Sequence, residues 1–524
     1  MSTRMLRLWA ALTLLLSGAA SAADLTIGAR FEPTVDPHFF YVSTNIAYAR
    51  HVFDPLVDRD ENVQKRPGLA LSWAPIDETT WEFKLRPGVK FHDGSDFTAE
   101  DVAFSIKRIP AIPNNPSPYT GNIRSIVATE IVDAHTIRFK TDRPNPSLPG
   151  QLSHVFIVSH KAAAAASPAD FASGRAAIGT GPYKFVSLAT GDRYVLTRFD
   201  GYWGAQPAWD KVTFRIIPNS ASRVAALLAG DVDVIDFVPP VDLANLRKDS
   251  RVTVFQRPSD RVVYLEPNFG LDSSPELVDK SGAPLGKNPF RDLKVRQAVS
   301  KAINREAMVA RIMEGLAVPA SQLVPEGFGG FDPAIPVERY DPEGAKKLLA
   351  EAGYPEGFGL TVHCSSDRYV NDAKICEAVA QMLSRIGIAA KVDVQPSSIY
   401  FSRIAAPKSE LPLMLVGWGS ASTGDSVPGL TGIIHSYDAA KGMGAYDMGN
   451  YKNAAVDQLI EQAIVTLDDG KRDLLLRRAM ADAMKDLSII PLHTQMSVLA
   501  ARKGITCVPR ADEQTVAMSA RPGG

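Results

Sequence analysis

Residues 81–108 read WEFKLRPGVKFHDGSDFTAEDVAFSIKR. Trp81, Phe83 and Leu85 alternate with Glu82, Lys84 and Arg86, the period of a strand with one buried face. Pro87-Gly88 is turn chemistry, so Thr79 to Phe91 is expected to form a hairpin about that turn. Thr98-Ala99-Glu100-Asp101 then sets a hydroxyl three residues ahead of a carboxylate, the reciprocal cap that opens a helix through VAFSIKRI.

The same grammar continues outward from this unit. Ser220 is expected to cap a helix carrying Val224, Leu227 and Leu228, which ends at Gly230 and feeds an alternating strand, Asp231 to Val238. Asp341-Pro342 combines a cap with a first-turn proline, and Gly353 closes that helix. Asp372 to Gly387 places Ile375, Val379, Leu383 and Ile386 on one helical face, and the β segment IAAKVDV follows at once. Helices and strands intermix throughout, which predicts an α/β fold rather than separate helical and sheet domains. A polar, glycine-containing break at Leu271 to Pro289 precedes a basic amphipathic helix, RDLKVRQAVSKAINR, and marks a lobe boundary. No period of about 20 to 50 residues repeats, so solenoids and propellers are excluded.

The chain has 524 residues, 45% of them hydrophobic and 22% charged. Hydrophobic cores stop growing near about 250–300 residues, so two or three lobes are expected. Lys and Arg number 57 against 58 Asp and Glu, with no basic run, which argues against nucleic acid as a partner. At the N-terminus Arg4 and Arg7 precede the apolar stretch Leu8 to Leu16, and small residues lead to Ala20-Ser21-Ala22. This is the order of a cleavable signal peptide, residues 1–22, and the apolar stretch is too short to cross a bilayer. The mature chain is expected in the periplasm with no stable membrane anchor. It is not expected to be a lipoprotein, since Ala19 follows Leu16-Ser17-Gly18 where a lipid-bearing cysteine would stand. Cys364, Cys376 and Cys507 permit one disulfide, Cys364 to Cys376, or buried free thiols.

No zinc-protease, phosphate-loop or serine-elbow motif occurs, and none of the nine histidines is spaced for a helical zinc site. Neither a cofactor nor a metal is expected. Asp231, Asp233 and Asp236 alternate with apolar residues and are read as the outward face of a strand. A secreted hydrolase acting on peptides or cell-wall fragments is the rival reading, and would need a triad assembled from distant positions.

Read together, Trp81 to Arg108, IGTGPYKF (178–185), LLAGDVDVID (227–236), NPFRDLKVRQAVSKAINREAMV (288–309) and DPEGAKKLLAEAGYPEGF (341–358) resemble the blocks of the extracellular solute-binding proteins of peptide- and nickel-type ABC importers. The resemblance runs in order over nearly the whole mature chain. It implies a periplasmic-binding-protein type II fold of cluster C, with two α/β lobes joined by hinge strands and an extra inserted domain. Lobe I would take 23–54, 176–270 and 491–524, the inserted domain 55–175 and lobe II 271–490. The implied activity is capture of a small peptide or organic-acid solute in the interdomain cleft by a monomer and delivery to ABC permease transmembrane subunits, with no turnover. In such relatives an Arg and a nearby Tyr hold the ligand carboxylate, which carries over to Arg368 and Tyr369. Trp418 and Ser420 would line the cleft after the strand Leu411 to Val416, and Tyr41, Ser43 and Thr44 would approach it from lobe I. Peptide-binding relatives carry an Asp two or three residues after this Trp for the peptide ammonium. Here the first acid is Asp425, so the amine anchor is absent or displaced, and a modified amino acid, another organic acid or a metal chelate stays open.

Overall fold

The computed structural model describes residues 23–407 and 409–523. The expected signal peptide, residues 1–22, lies outside the described residues. Two long antiparallel strands, Val252–Pro267 and Ile490–Arg502, organise the rest. Val252 to Pro258 pair with Arg502 to Met496; the ladder breaks at Ser259-Asp260-Arg261 and resumes with Val262 to Leu265 against Thr494 to Ile490. Such an interruption bends a strand and frees it to serve two packed bodies.

Each half of the strand pair carries one wing of an eleven-stranded sheet. The first wing adds Val234–Asp236, Asp24–Ala29, Lys211–Ile216, Arg193–Arg198 and Tyr183–Ala189; the second adds Leu413–Gly419, Gly359–Ser365 and Ala389–Gln395, and the short strand Ala317–Pro319 pairs with Ile490–Arg502 beside them. Asp24–Ala29 is parallel to both of its neighbours, and Gly359–Ser365 is parallel to Ala389–Gln395. In the second wing Val263, Leu265, Leu413 and Leu415 enter one apolar core, while Tyr264, Met414 and Val416 enter another across the sheet. A sheet covered on both faces needs apolar residues at every position, which is why Leu411 to Val416 reads as a continuous run.

A separate antiparallel sheet runs Ala70–Pro75, Thr80–Leu85, Thr136–Thr141, Ile126–Asp133. Trp81, Phe83 and Leu85 are buried as their alternation requires. The expected hairpin about Pro87-Gly88 does not form. Both edges of Thr80–Leu85 are already paired, with Ala70–Pro75 and Thr136–Thr141, so the chain beyond the turn buries Val89 and Phe91 in the core instead. The helix Ala99–Arg108 does carry the reciprocal cap: Thr98 Oγ1 accepts from the Glu100 N–H (3.3 Å) and Asp101 accepts from the Thr98 N–H (2.9 Å).

Other boundaries shift by local chemistry. Asn219, not Ser220, caps the helix Ser220–Ala229 by accepting from the Ser222 N–H at 2.9 Å. The basic segment is two helices, Leu293–Ala302 and Arg305–Arg311, because Asn304 caps the second through the Ala307 N–H. Asp341 caps Pro342–Glu351 as its sequence indicates. Cys364 and Cys376 are joined in a disulfide with their Cα atoms 6.7 Å apart. Cys507 is free and buried, and burial pushes its thiol up to about 12. Among the described residues no helix is long and apolar enough to cross a membrane.

Candidate functional site

Loops that leave the carboxyl ends of parallel strands gather round a common crevice. In the first wing Arg30 and Phe31 leave Asp24–Ala29, and Phe237 leaves the adjacent parallel strand, which ends on Asp236. In the second, Asp367, Arg368 and Tyr369 leave Gly359–Ser365. All of them line one cavity of ≈ 640 Å³ between the wings, a size typical of small-molecule sites. The crossing strands supply Arg261 and Gln495 to its wall, the C-terminal segment supplies Glu513 and Thr515, and Ser43 and Thr44 come from the start of the helix Ser43–Val52.

Four arginines, three carboxylates and the Tyr369 phenol are the ionisable groups of this wall. Arg261 pairs with Glu513 at 2.9 Å, and Gln495 donates to the other oxygen of the same carboxylate at 2.8 Å. Burial works against the Arg261 charge, but Glu513 and Asp260 hold its pKa above the usual guanidinium value. Arg223 lies 3.8 Å from Asp236 and donates to the carbonyls of Ile217 and Pro218. Burial pushes Asp236 up to about 6 against the pull of Arg223. Its Oδ1 has no hydrogen-bond partner. Asp236 is therefore not on an outward strand face: the strand is central, between Asp24–Ala29 and Ile490–Arg502, and its end opens on the cavity.

The loop bearing Arg368 is fixed by its own helix. Asp372 accepts from Ser365 Oγ at 2.8 Å, from the Arg368 N–H at 3.0 Å and from the Tyr369 N–H at 3.2 Å. Tyr369 donates its hydroxyl to Gly417 O at 3.2 Å, and a Cβ at Gly417 would come within 2.8 Å of the Tyr369 ring. Glycine is required there for the strand end to meet the ring. The Arg368 guanidinium lies 5.2 Å from the centre of that ring and is exposed to the cleft.

The remaining sequence candidates are placed elsewhere. Trp418 and Ser420 do not line this cavity; Trp418 packs on Tyr446, ring centres 5.1 Å apart, one residue beyond the Gly417 that touches Tyr369. Trp418 Nε1 and Ser420 Oγ are buried without hydrogen-bond partners among the described residues, an arrangement that costs about 1–3 kcal/mol for each group until a partner arrives. Tyr41 hydrogen-bonds His154 Nδ1 at 3.0 Å and packs edge-on against Tyr119. Asp425 is engaged by Arg472, by Thr423 Oγ1 at 2.5 Å and by the Val427 N–H at 3.0 Å. Arg59, fully buried, ties this loop to the antiparallel-sheet region by donating to Ser153 Oγ, Gly150 O and Ser422 O.

Sequence reasoning passed over Arg30, Phe31, Asp236 and Phe237. The signal for them was available, since each stands at the carboxyl end of a strand. Arg261, Gln495 and Glu513 carry no such signal, because only the crossing of distant strands brings them together.

The family model for bacterial extracellular solute-binding proteins, family 5 Middle, matches residues 64–441. The chain belongs to this family. Curated relatives of this solute-binding protein include the glutathione-binding protein GsiB of Escherichia coli O1:K1 and that of Salmonella paratyphi A. Each is 28% identical over 498 residues, 93% of this chain and 92% of the relative. Among solved structures, HbpA2 from Haemophilus parasuis superposes with a TM-score of 0.81 at 24% identity, covering 96% of this chain and 100% of the other. The unliganded open form of the periplasmic murein tripeptide binding protein MppA gives 0.79 at 22% identity, covering 96% and 98%. These likenesses establish the two-lobed α/β type II fold, and the family match supports a receptor over a hydrolase.

Proposed function

We propose that this solute-binding protein is the periplasmic receptor of an ABC importer, which encloses a small peptide or peptide-like organic acid, leaves it chemically unaltered and delivers it to transmembrane permease subunits. The observation that carries the reading is Arg368: a guanidinium with no hydrogen bond or ion pair among the described residues, on a fixed loop, in a cavity of ≈ 640 Å³ between two wings. An always-ionised planar fork takes a carboxylate with two parallel hydrogen bonds. The relatives named for glutathione, a tripeptide acid, support the same solute class.

The working division is lobe I at 23–54, 176–270 and 491–524, an inserted domain at 55–175 and lobe II at 271–490. Residues 1–22 are assigned to a cleaved leader, and the mature chain to a monomer free in the periplasm. Arg368, Tyr369 and Thr44 are assigned to the cavity wall. Trp418 and Ser420 are assigned to an adjoining part of the site, where their unpartnered donors meet solute on closure.

A thermal-shift screen of cargo-free protein against glutathione and a set of di- and tripeptides tests this reading. A true solute at a hundredfold excess over its Kd stabilises the fold by about 2.7 kcal/mol. Absence of any shift, together with no solute in mass spectra of the freshly purified protein, overturns it.

A further inference from the structure

Two arginines enter the cavity from opposite wings without a hydrogen bond or ion pair of their own among the described residues. Arg30 leaves the strand Asp24–Ala29, and its guanidinium lies 4.8 Å from the ring centre of Phe31 and 5.8 Å from that of Phe237. Arg368 lies against Tyr369 in the other wing. Neither guanidinium has a hydrogen bond or ion pair among the described residues.

The nearby acids are otherwise engaged. Glu513 holds Arg261 and Gln495, Asp236 faces Arg223, and Asp367 accepts the Ser397 N–H at 2.8 Å. Four arginines against three carboxylates leave the wall with an excess positive charge. Arg368 sits below the usual guanidinium pKa, first because the cleft walls desolvate it and then through Arg261, with Tyr369 and Glu513 opposing and Arg30 adding a smaller push from the other wing. Drawing the wings together expels water and strengthens that repulsion, so closure needs an anion on each cation.

An aromatic surface flanks Arg30 on its own wing. Phe31 meets Phe237 edge-on with ring centres 6.1 Å apart, and Phe31 is 41% exposed. Phe237 holds a φ of 47°, a left-handed conformation that bulky residues avoid and that persists where surrounding structure enforces it.

Resting on the receptor reading above, we propose that the cavity is built for a solute with two separated carboxylates, one held by Arg368 and the other by Arg30, and that Arg30 selects diacids over monoacids. The carbon chain between the acids packs on Phe31 and Phe237. A solute with a single carboxylate leaves one cation enclosed and unpaired, and is rejected for that reason.

Calorimetric titration of the cargo-free chain with matched peptides tests the proposal: alanylglutamate against alanylglutamine, and glutathione against its glycine amide. The diacid of each pair is expected to bind about tenfold tighter or more, as a charge pair enclosed on closure requires. R30Q abolishes that preference without weakening the amide member, R30K keeps part of it, and R368Q weakens both members. R30K, which keeps the charge over the Phe31 and Phe237 rings, separates the loss of charge from the loss of that stacking. Equal affinities within each pair, or a preference that survives R30Q, overturns the diacid clamp while leaving the receptor reading intact. Failure of every peptide to bind overturns both for peptide-like acids.

Discussion

Glu266 and Asp447 are buried carboxyl groups of the second wing, each half satisfied. Glu266 accepts from the Gly449 N–H at 2.8 Å and Asp447 from the Tyr451 N–H at 2.9 Å, and the second oxygen of each has no partner. Burial raises both, with Asp447 adding to the rise at Glu266, and Asp447 reaches about 8 from 3.8. The folded state therefore keeps protons that the unfolded chain has released. For Asp447 this stability is fully present below pH 3.8 and is lost as pH climbs to about 8, on the order of 1.4 kcal/mol per unit, and Glu266 acts in the same direction. Asp447→Asn should flatten that dependence, and melting temperatures at pH 5 and pH 8 measure it; an unchanged slope removes Asp447 as its source. At the site, Arg368→Ala should weaken an acidic solute by about 2–5 kcal/mol in calorimetry, since a carboxylate is then enclosed without a partner. Asp425→Ala separates a structural acid from a solute contact. With Arg472 left unpaired in the interior, stability should fall by about 3–5 kcal/mol in denaturant titration, while an intact melt with lost affinity would return Asp425 to the site.

Elements were legible where a local rule acts alone. The reciprocal cap of Thr98 and Asp101 is written in four consecutive residues, and Thr98→Ala should cost about 0.5–2 kcal/mol, read as a lower denaturation midpoint at unchanged slope. No change in the midpoint would mean that the packing of Val102 and Ile106 carries the helix without its cap. Strand Thr80–Leu85 shows where a local rule loses. Its alternation fixes which side chains are buried, but pairing belongs to whichever strand reaches the edge, and Thr136–Thr141 arrives from fifty residues away. Asn304 shows the converse, a single capping residue dividing what periodicity alone reads as one helix.

For the whole molecule the crossing of Val252–Pro267 with Ile490–Arg502 is the feature from which the rest follows. Its break at Ser259-Asp260-Arg261 lies against the cavity wall, so solute held between the wings acts on the segment where they join. The family's hinge mechanism then predicts that saturating solute lowers the scattering radius of gyration, as it does in closure around an enclosed ligand. Equal radii with and without solute would show that binding proceeds without closure. Arg59 ties the Ser422 loop to the antiparallel-sheet region, whose core is continuous with that of the first wing.

Periodicity, caps and block order in the amino-acid sequence were sufficient for the α/β class, the family and the loop that carries Arg368, because each depends on neighbours within a few residues or on a long ordered pattern. Tertiary structure alone decided that Asp236 faces a cavity, that Asp425 answers to Arg472, and that Arg30 and Arg368 line one space without an ion pair of their own among the described residues. Those facts depend on distances between residues from 47 to more than three hundred positions apart, and electrostatic energy is set by such distances and by burial, neither of which a linear chain displays.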